Sequence, residues 1–235
     1  MITVQRFLQS TVGRKYLIAI SGLALVGFIL THLAANLLLL LPSSDPFNLY
    51  AHKLASLGPG LYILEAGLAA MFVLHIGLTI GAHVRSSASR PEKYAGGLKA
   101  KEGPVTSSIF SKAMRPTGML LLIFLIIHIL QFKFGPGIAA GYTTDLHGES
   151  ARDLYRLVIE TFAKPTWVAY YVAMMLFLGM HLRHGFWSAF QSLGVLSRRN
   201  RVFVILAAAL VAAVFAVGFL GIPVFIFIKQ SGGAL

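Results

Sequence analysis

Residues 16–41 read YLIAISGLALVGFILTHLAANLLLLL and hold no charged side chain. A bilayer core about 30 Å thick is crossed by roughly 20 apolar residues in helical conformation. The stretch is long enough. It is also too long for the h-region of a cleaved signal peptide, about 7–15 residues, although Arg14 and Lys15 precede it. It reads as a retained transmembrane helix. Four more stretches qualify: 61–83, with Glu65 near its start; 117–134, the shortest, with Lys133 near its end; 166–190, interrupted late by Arg183 and His184; and 202–228, uncharged throughout. The expected fold is an all-α membrane protein with five transmembrane helices, one domain over residues 1–235.

Composition agrees. Hydrophobic residues make up 57% of the chain and charged residues 12%, with a mean hydropathy of +0.76. A soluble domain carries about 25% charged residues, and a disordered chain lacks this hydrophobicity. The chain has no cysteine. That excludes a disulfide scaffold, a cysteine-ligated iron–sulfur cluster, a covalent c-type haem and a cysteine-rich zinc site on this chain. Redox chemistry would need a non-covalent cofactor held by His or Met.

The net charge of +12 is unevenly distributed. Arg6, Arg14 and Lys15, the run Arg85, Arg90, Lys93, Lys99, Lys101, Lys112 and Arg115, and Arg183, Arg198, Arg199 and Arg201 all fall on one side, against only Glu92 and Glu102. The other side balances Lys53, Lys133, Arg152, Arg156, Lys164 and Lys229 against Asp45, Glu65, Asp145, Glu149, Asp153 and Glu160. Positive loops stay in the cytoplasm. The N-terminus is therefore expected inside and the C-terminus outside, in a bacterial-type inner membrane. The loop 85–112 reads as irregular and solvent-facing. In the outer loop 135–165, Leu154, Leu157, Val158, Thr161 and Phe162 recur at helical spacing, with Ser150 three residues before Asp153 as in a capping box. This predicts an interfacial amphipathic helix lying on the outer surface. No internal repeat is evident.

Ionisable residues inside a membrane are costly and usually functional. Of eight histidines, His52 and His147 fall in outer loops and His83 lies at an inner helix end beside Arg85. Counting 1.5 Å per residue from each span's midpoint puts His32 and His128 about 5 Å into the outer half and His75 and His181 about 4 Å into the inner half. Two levels result, roughly 10 Å apart, each fed by two different helices. The pattern suits two haems, each held by two histidines in a four-helix bundle, with a fifth helix beside it. Two axial histidines leave iron no open position, which favours electron transfer over oxygen chemistry. Gly22, Gly27, Gly77, Gly118, Gly179 and Gly185 would let a flat macrocycle approach a helix. His184 lies three residues beyond His181, about 60° round the helix. It is either the inner ligand itself or, with Arg183, a partner for a haem propionate.

The chain resembles the single-subunit, di-haem cytochrome b membrane anchors of succinate:quinone and quinol:fumarate oxidoreductases (succinate dehydrogenase and fumarate reductase, respiratory complex II). The stretches that carry the resemblance are Ser21-Gly22 through Gly27-Phe28 to Thr31-His32-Leu33 and Asn36; Phe72-Val73-Leu74-His75 followed by Arg85; Leu125-Ile126-Ile127-His128; and His181-Leu182-Arg183-His184-Gly185-Phe186-Trp187, running on to Gly194. It covers all five spans. It implies His75 and His181 as ligands of an inner haem b and His32 and His128 of an outer one, with His181 chosen over His184 because Gly194 follows it by thirteen residues. It implies a flavoprotein and an iron–sulfur subunit docked on the cytoplasmic face, so this chain has no succinate site of its own. It also implies a membrane quinone, menaquinone in many di-haem members, reacting near the outer haem. Arg85, Arg183, Lys15 and His184 are the expected propionate partners. Asn36 and Gln131, four and three residues from outer ligands, and the outer carboxylate Glu65 are the expected quinone residues. Some members carry a Glu two residues before the fourth-span ligand, where this chain has Gly179, which puts that proton route in doubt. Two other readings compete: another di-haem quinone cytochrome with a different soluble partner, and a haem-free transporter whose histidines bind metal ions or relay protons.

Overall fold

In a computed structural model of the chain, residues 4–88, 109–146 and 148–232 are described. The expectations for Arg90, Glu92, Lys93, Lys99, Lys101, Glu102 and His147 lie outside these residues. A short helix α1 (Val4–Gln9) leads into α2 (Thr11–Asn36), which starts where the Ser10 hydroxyl accepts a hydrogen bond from Gly13 N at 3.0 Å. Then come α3 (Asp45–Ala55), α4 (Pro59–Ala88) and α5 (Ile109–His128), followed by α6 (Leu154–Phe162), α7 (Pro165–Ser192) and α8 (Arg201–Ser231). Five segments are long and apolar enough to cross a membrane: Thr11–Leu40, Pro59–Arg85, Ala113–Lys133, Pro165–Ser192 and Arg201–Ser231. They coincide with the five predicted stretches. Most run further at their ends, because a helix continues through the polar headgroup region where a hydropathy count stops.

The protein is a helical, multi-pass membrane chain in which α2 and α7 form the middle. α7 packs against α8, α5 and α2, and α2 packs against α4 and α8. Small residues set two of these approaches. A Cβ on Gly179 would lie 2.9 Å from Ala216 Cβ, and one on Gly218 would lie 2.9 Å from Leu33 Cδ2. Without a hydrophobic drive between helices in lipid, such close contacts supply much of the association. α4 has no fully buried residue among those described; Tyr62, Ile63 and Val73 are each more than 70% exposed, as suits a lipid-facing helix.

The outer end differs from the sequence expectation in three ways. α3, absent from the sequence reading, covers part of it. Next to α3, β1 (Thr143–Leu146) pairs antiparallel with β2 (Glu149–Arg152). The fold is thus helical with one small hairpin rather than purely α. α6 forms where expected, but its N-cap is Asp153, whose Oδ1 accepts from Arg156 N at 2.9 Å, while Ser150 sits in β2. Its apolar face also meets protein, not lipid. Leu157, Val158, Thr161 and Phe162 are buried, and the Phe162 ring lies 4.9 Å from that of Tyr171 on α7.

Two polar side chains hold this cap. Asn48 on α3 is 0% exposed; its amide donates to Asp153 Oδ1 at 2.8 Å and accepts from Tyr155 N at 2.9 Å. The Arg152 guanidinium donates to the carbonyls of Phe132, Gly135 and Pro136 at 2.9, 3.2 and 3.0 Å, and to that of Lys133 at 3.3 Å. Phe132 and Lys133 offer carbonyls left unpaired where the helix ends, and Gly135 and Pro136 lie in the chain just beyond it. Burial draws Arg152 below the ordinary arginine pKa.

Candidate functional site

The four intramembrane histidines fall into two sets. His32 on α2 and His128 on α5 face each other, their ring centroids 5.8 Å apart and their planes at 90°. Imidazole–metal bonds of about 2 Å place two ring centroids about 6 Å apart across one ion. His75 on α4 and His181 on α7 make up the other set. Each of the latter is anchored by a hydroxyl of the neighbouring helix: Ser21 Oγ on α2 is 3.1 Å from His75 Nδ1, and Thr117 Oγ1 on α5 is 3.2 Å from His181 Nδ1. Ser21 and Thr117 each lie eleven residues before the outer histidine of their own helix. The two levels are therefore about 16 Å apart along the helix axis. That exceeds the expected 10 Å, because counting from midpoints assumes that every helix is centred at one height.

The hydrogen bonds assign the tautomers. The Ser21 hydroxyl donates to Ile18 O at 3.1 Å, and the Thr117 hydroxyl donates to Ala113 O at 2.6 Å. With those protons given to the carbonyls, both oxygens are free to accept from Nδ1–H. At the outer level Tyr171 OH donates to Gln131 Oε1 at 2.8 Å and lies 3.3 Å from His128 Nδ1, so it too accepts from Nδ1–H. Asn36 Nδ2 donates to His32 O at 2.8 Å and approaches His32 Nε2 at 3.4 Å, which leaves the ring proton on Nδ1. His75, His128 and His181 thus have a hydroxyl at Nδ1, which leaves Nε2 for a metal, whereas at His32 the Asn36 amide sits at Nε2. A neutral imidazole whose Nδ1–H is engaged elsewhere is the form that ligates a metal.

The glycines divide. A Cβ on Gly22 would stand 3.1 Å from His75 Cε1, and one on Gly118 would stand 3.3 Å from His181 Cε1. Gly27 and Gly77 meet nothing within 4 Å, Gly185 meets only Met114, and Gly179 packs against α8. Gly179 therefore serves helix packing, contrary to its expected place beside a macrocycle, and a longer side chain there would run into α8.

An internal repeat becomes visible here, correcting the reading that there is none. Residues 21–32, SGLALVGFILTH, and 117–128, TGMLLLIFLIIH, share a hydroxyl, a glycine, Leu25 or Leu121, a phenylalanine and a histidine in the same places. The phenylalanines repeat in space: Phe28 stacks on His32 at 5.6 Å and Phe124 on His128 at 5.5 Å. The sequence reading missed Ser21, Thr117 and Tyr171 as ligand partners. This repeat was the signal that marks the first two.

The other expected residues scatter. Arg183 and His184 lie partly buried within one turn of His181. The Arg85 guanidinium folds back over Gly81 on α4, and Lys15 is exposed near the start of α2. His83 is bonded to Arg115 at 3.0 Å, tying α4 to α5. His52 bonds Glu149 at 3.0 Å. Asn36 touches His32, and Gln131 reaches His128 through Tyr171. Gln131 lies in a π-helical turn, Ile129–Lys133, that begins just after His128, and such turns often re-aim side chains at functional sites. Glu65 pairs with Lys133 at the end of that turn. Among the described residues no three or more of His, Asp and Glu converge to hold a bare metal ion. No family model, curated protein or solved structure matches the chain.

Proposed function

We propose that the chain is the di-haem cytochrome b membrane anchor of a succinate:quinone oxidoreductase, linking an iron–sulfur subunit to a membrane quinone. The observation that carries the reading is the pairing of four histidines at two levels, three of them met at Nδ1 by a hydroxyl, while His32 meets the Asn36 amide at Nε2, which would have to give way for that nitrogen to bind iron. The residues fit the group. Two rings per level match two axial positions, and a hydrogen-bonded Nδ1–H is the usual outer support of an imidazole ligand. His75 and His181 would hold an inner haem b and His32 and His128 an outer one; bound there, the haems supply one-electron transfer with both axial positions filled.

The rest is the work of this chain's own side chains. Arg183, Arg85 and Lys15 would supply positive charge at the inner end, where propionates need it, and His184 a hydrogen-bonding imidazole. Asn36 beside His32, Gln131 behind the Tyr171 hydroxyl, and the separate Glu65–Lys133 pair are the polar groups this chain would offer a quinone. The basic face, placed in the cytoplasm by the distribution of loop charge, suits an iron–sulfur partner carrying a flavoprotein.

A reduced-minus-oxidised optical spectrum of the purified chain tests this. The expected result is low-spin b-type haem, about two per chain. A chain without haem overturns the reading and leaves the haem-free transporter. A haem-bearing chain that purifies without a flavoprotein and an iron–sulfur partner favours another quinone cytochrome.

A further inference from the structure

We infer that Ser21-Gly22 and Thr117-Gly118 are two copies of one clamp, and that their hydroxyls are positioning residues that lower the reduction potential of the inner site. The inference rests on the haem reading and goes beyond it by giving the two levels unequal supports.

In each copy the hydroxyl meets Nδ1 and the glycine meets Cε1 of one histidine from the paired helix. The Nδ1–Cε1 edge of the ring is thus seated in a two-residue notch. The notch fixes ring position and rotation together, and a Cβ at either glycine would press the ring out by a few tenths of an ångström. Because the hydroxyl proton is already donated to a carbonyl one turn back, the oxygen serves as an acceptor. An acceptor on Nδ1–H makes Nε2 more basic. A more basic ligand stabilises the oxidised, more positive iron and lowers its potential. Both inner histidines have this support. At the outer level only His128 has it, from a phenol at 3.3 Å, while His32 bonds Asn36 through Nε2.

The test is a potentiometric titration of the purified, haem-loaded chain, with the inner step identified as the one missing from His75→Ala. Ser21→Ala and Thr117→Val are expected to raise the inner midpoint potential and leave the outer step in place. Ser21→Thr and Thr117→Ser, which keep the hydroxyl, are expected to hold the wild-type value. Loss of the inner haem from Ser21→Ala but not from Ser21→Thr is the same outcome in stronger form. Tyr171→Phe is expected to move only the outer step. An inner potential unmoved in both hydroxyl-free variants, with two haems retained, overturns the clamp and spares the haem reading. A wild-type chain without haem overturns both.

Discussion

At the inner level, each histidine is held from another helix by residues 54 or 64 positions away, through a hydroxyl whose own proton is spoken for. At the outer level, support is largely aromatic and combines contacts within one helix with a phenol from α7, 43 positions from His128. Phe28 and Phe124 stack on His32 and His128 from one turn away, Phe132 and Tyr171 crowd His128, and Asn36 reaches back to His32 from four residues on. The two levels share a sequence repeat and differ in what completes them. Rigid cross-helix clamps suit a site that only relays electrons. Amides that reach the outer rings, Asn36 directly and Gln131 through Tyr171, suit the proposed site that also exchanges protons with a quinone.

The largest effect should come from the ligands themselves. His75→Ala or His181→Ala is expected to halve the haem content and leave the outer spectrum unchanged, and His128→Ala to do the reverse. Haem assay after purification decides it, and loss of both haems from either variant would break the independence of the levels. Next is the outer cap. Asn48→Ala deletes two hydrogen bonds at a fully buried site, so a loss of about 1–3 kcal/mol is expected in thermal unfolding. The outer haem should become easier to extract and the inner one should not.

A smaller perturbation belongs to the inner notch. Gly118→Ala puts a methyl 3.3 Å from His181, and Gly22→Ala one 3.1 Å from His75. Each should cost about 1 kcal/mol by overpacking and shift the inner absorbance alone. The least effect is electrostatic. The Tyr142 hydroxyl and then Arg156 hold Glu160 below the usual carboxylate pKa. The folded value is lowered, so this support is complete above the ordinary glutamate range and is lost as pH falls through the lowered value. Acid should therefore loosen the α6 cap before the inner bundle, and Glu160→Gln should erase that difference in hydrogen exchange.

The five spans were legible because a bilayer demands some twenty apolar residues in a row, and nothing else in the chain offers them. The four histidines were legible for the complementary reason, since polar rings stand out in that background. What lay hidden was relational. Tyr171 looks like one more aromatic in an apolar helix until its hydroxyl is found between His128 and Gln131. Ser21 and Thr117 look like ordinary small residues of a membrane helix, and their importance depends on helices that meet only after folding. α3 and the hairpin went unseen because Asn48 and Arg152 organise them by contacts 105 and up to 20 residues away, with weak local patterning. The level spacing was misjudged because helix heights are set by packing such as Gly179 on Ala216, which hydropathy does not record.

The central claim is that two histidine pairs, one inner and one outer, each hold a haem. The most direct measurement is the haem-to-chain ratio of the wild type, of His75→Ala and of His32→Ala, purified identically. The account expects about two, one and one, with the two variants retaining different halves of the wild-type spectrum. A ratio of zero in the wild type, or variants that retain the same spectrum, would contradict it.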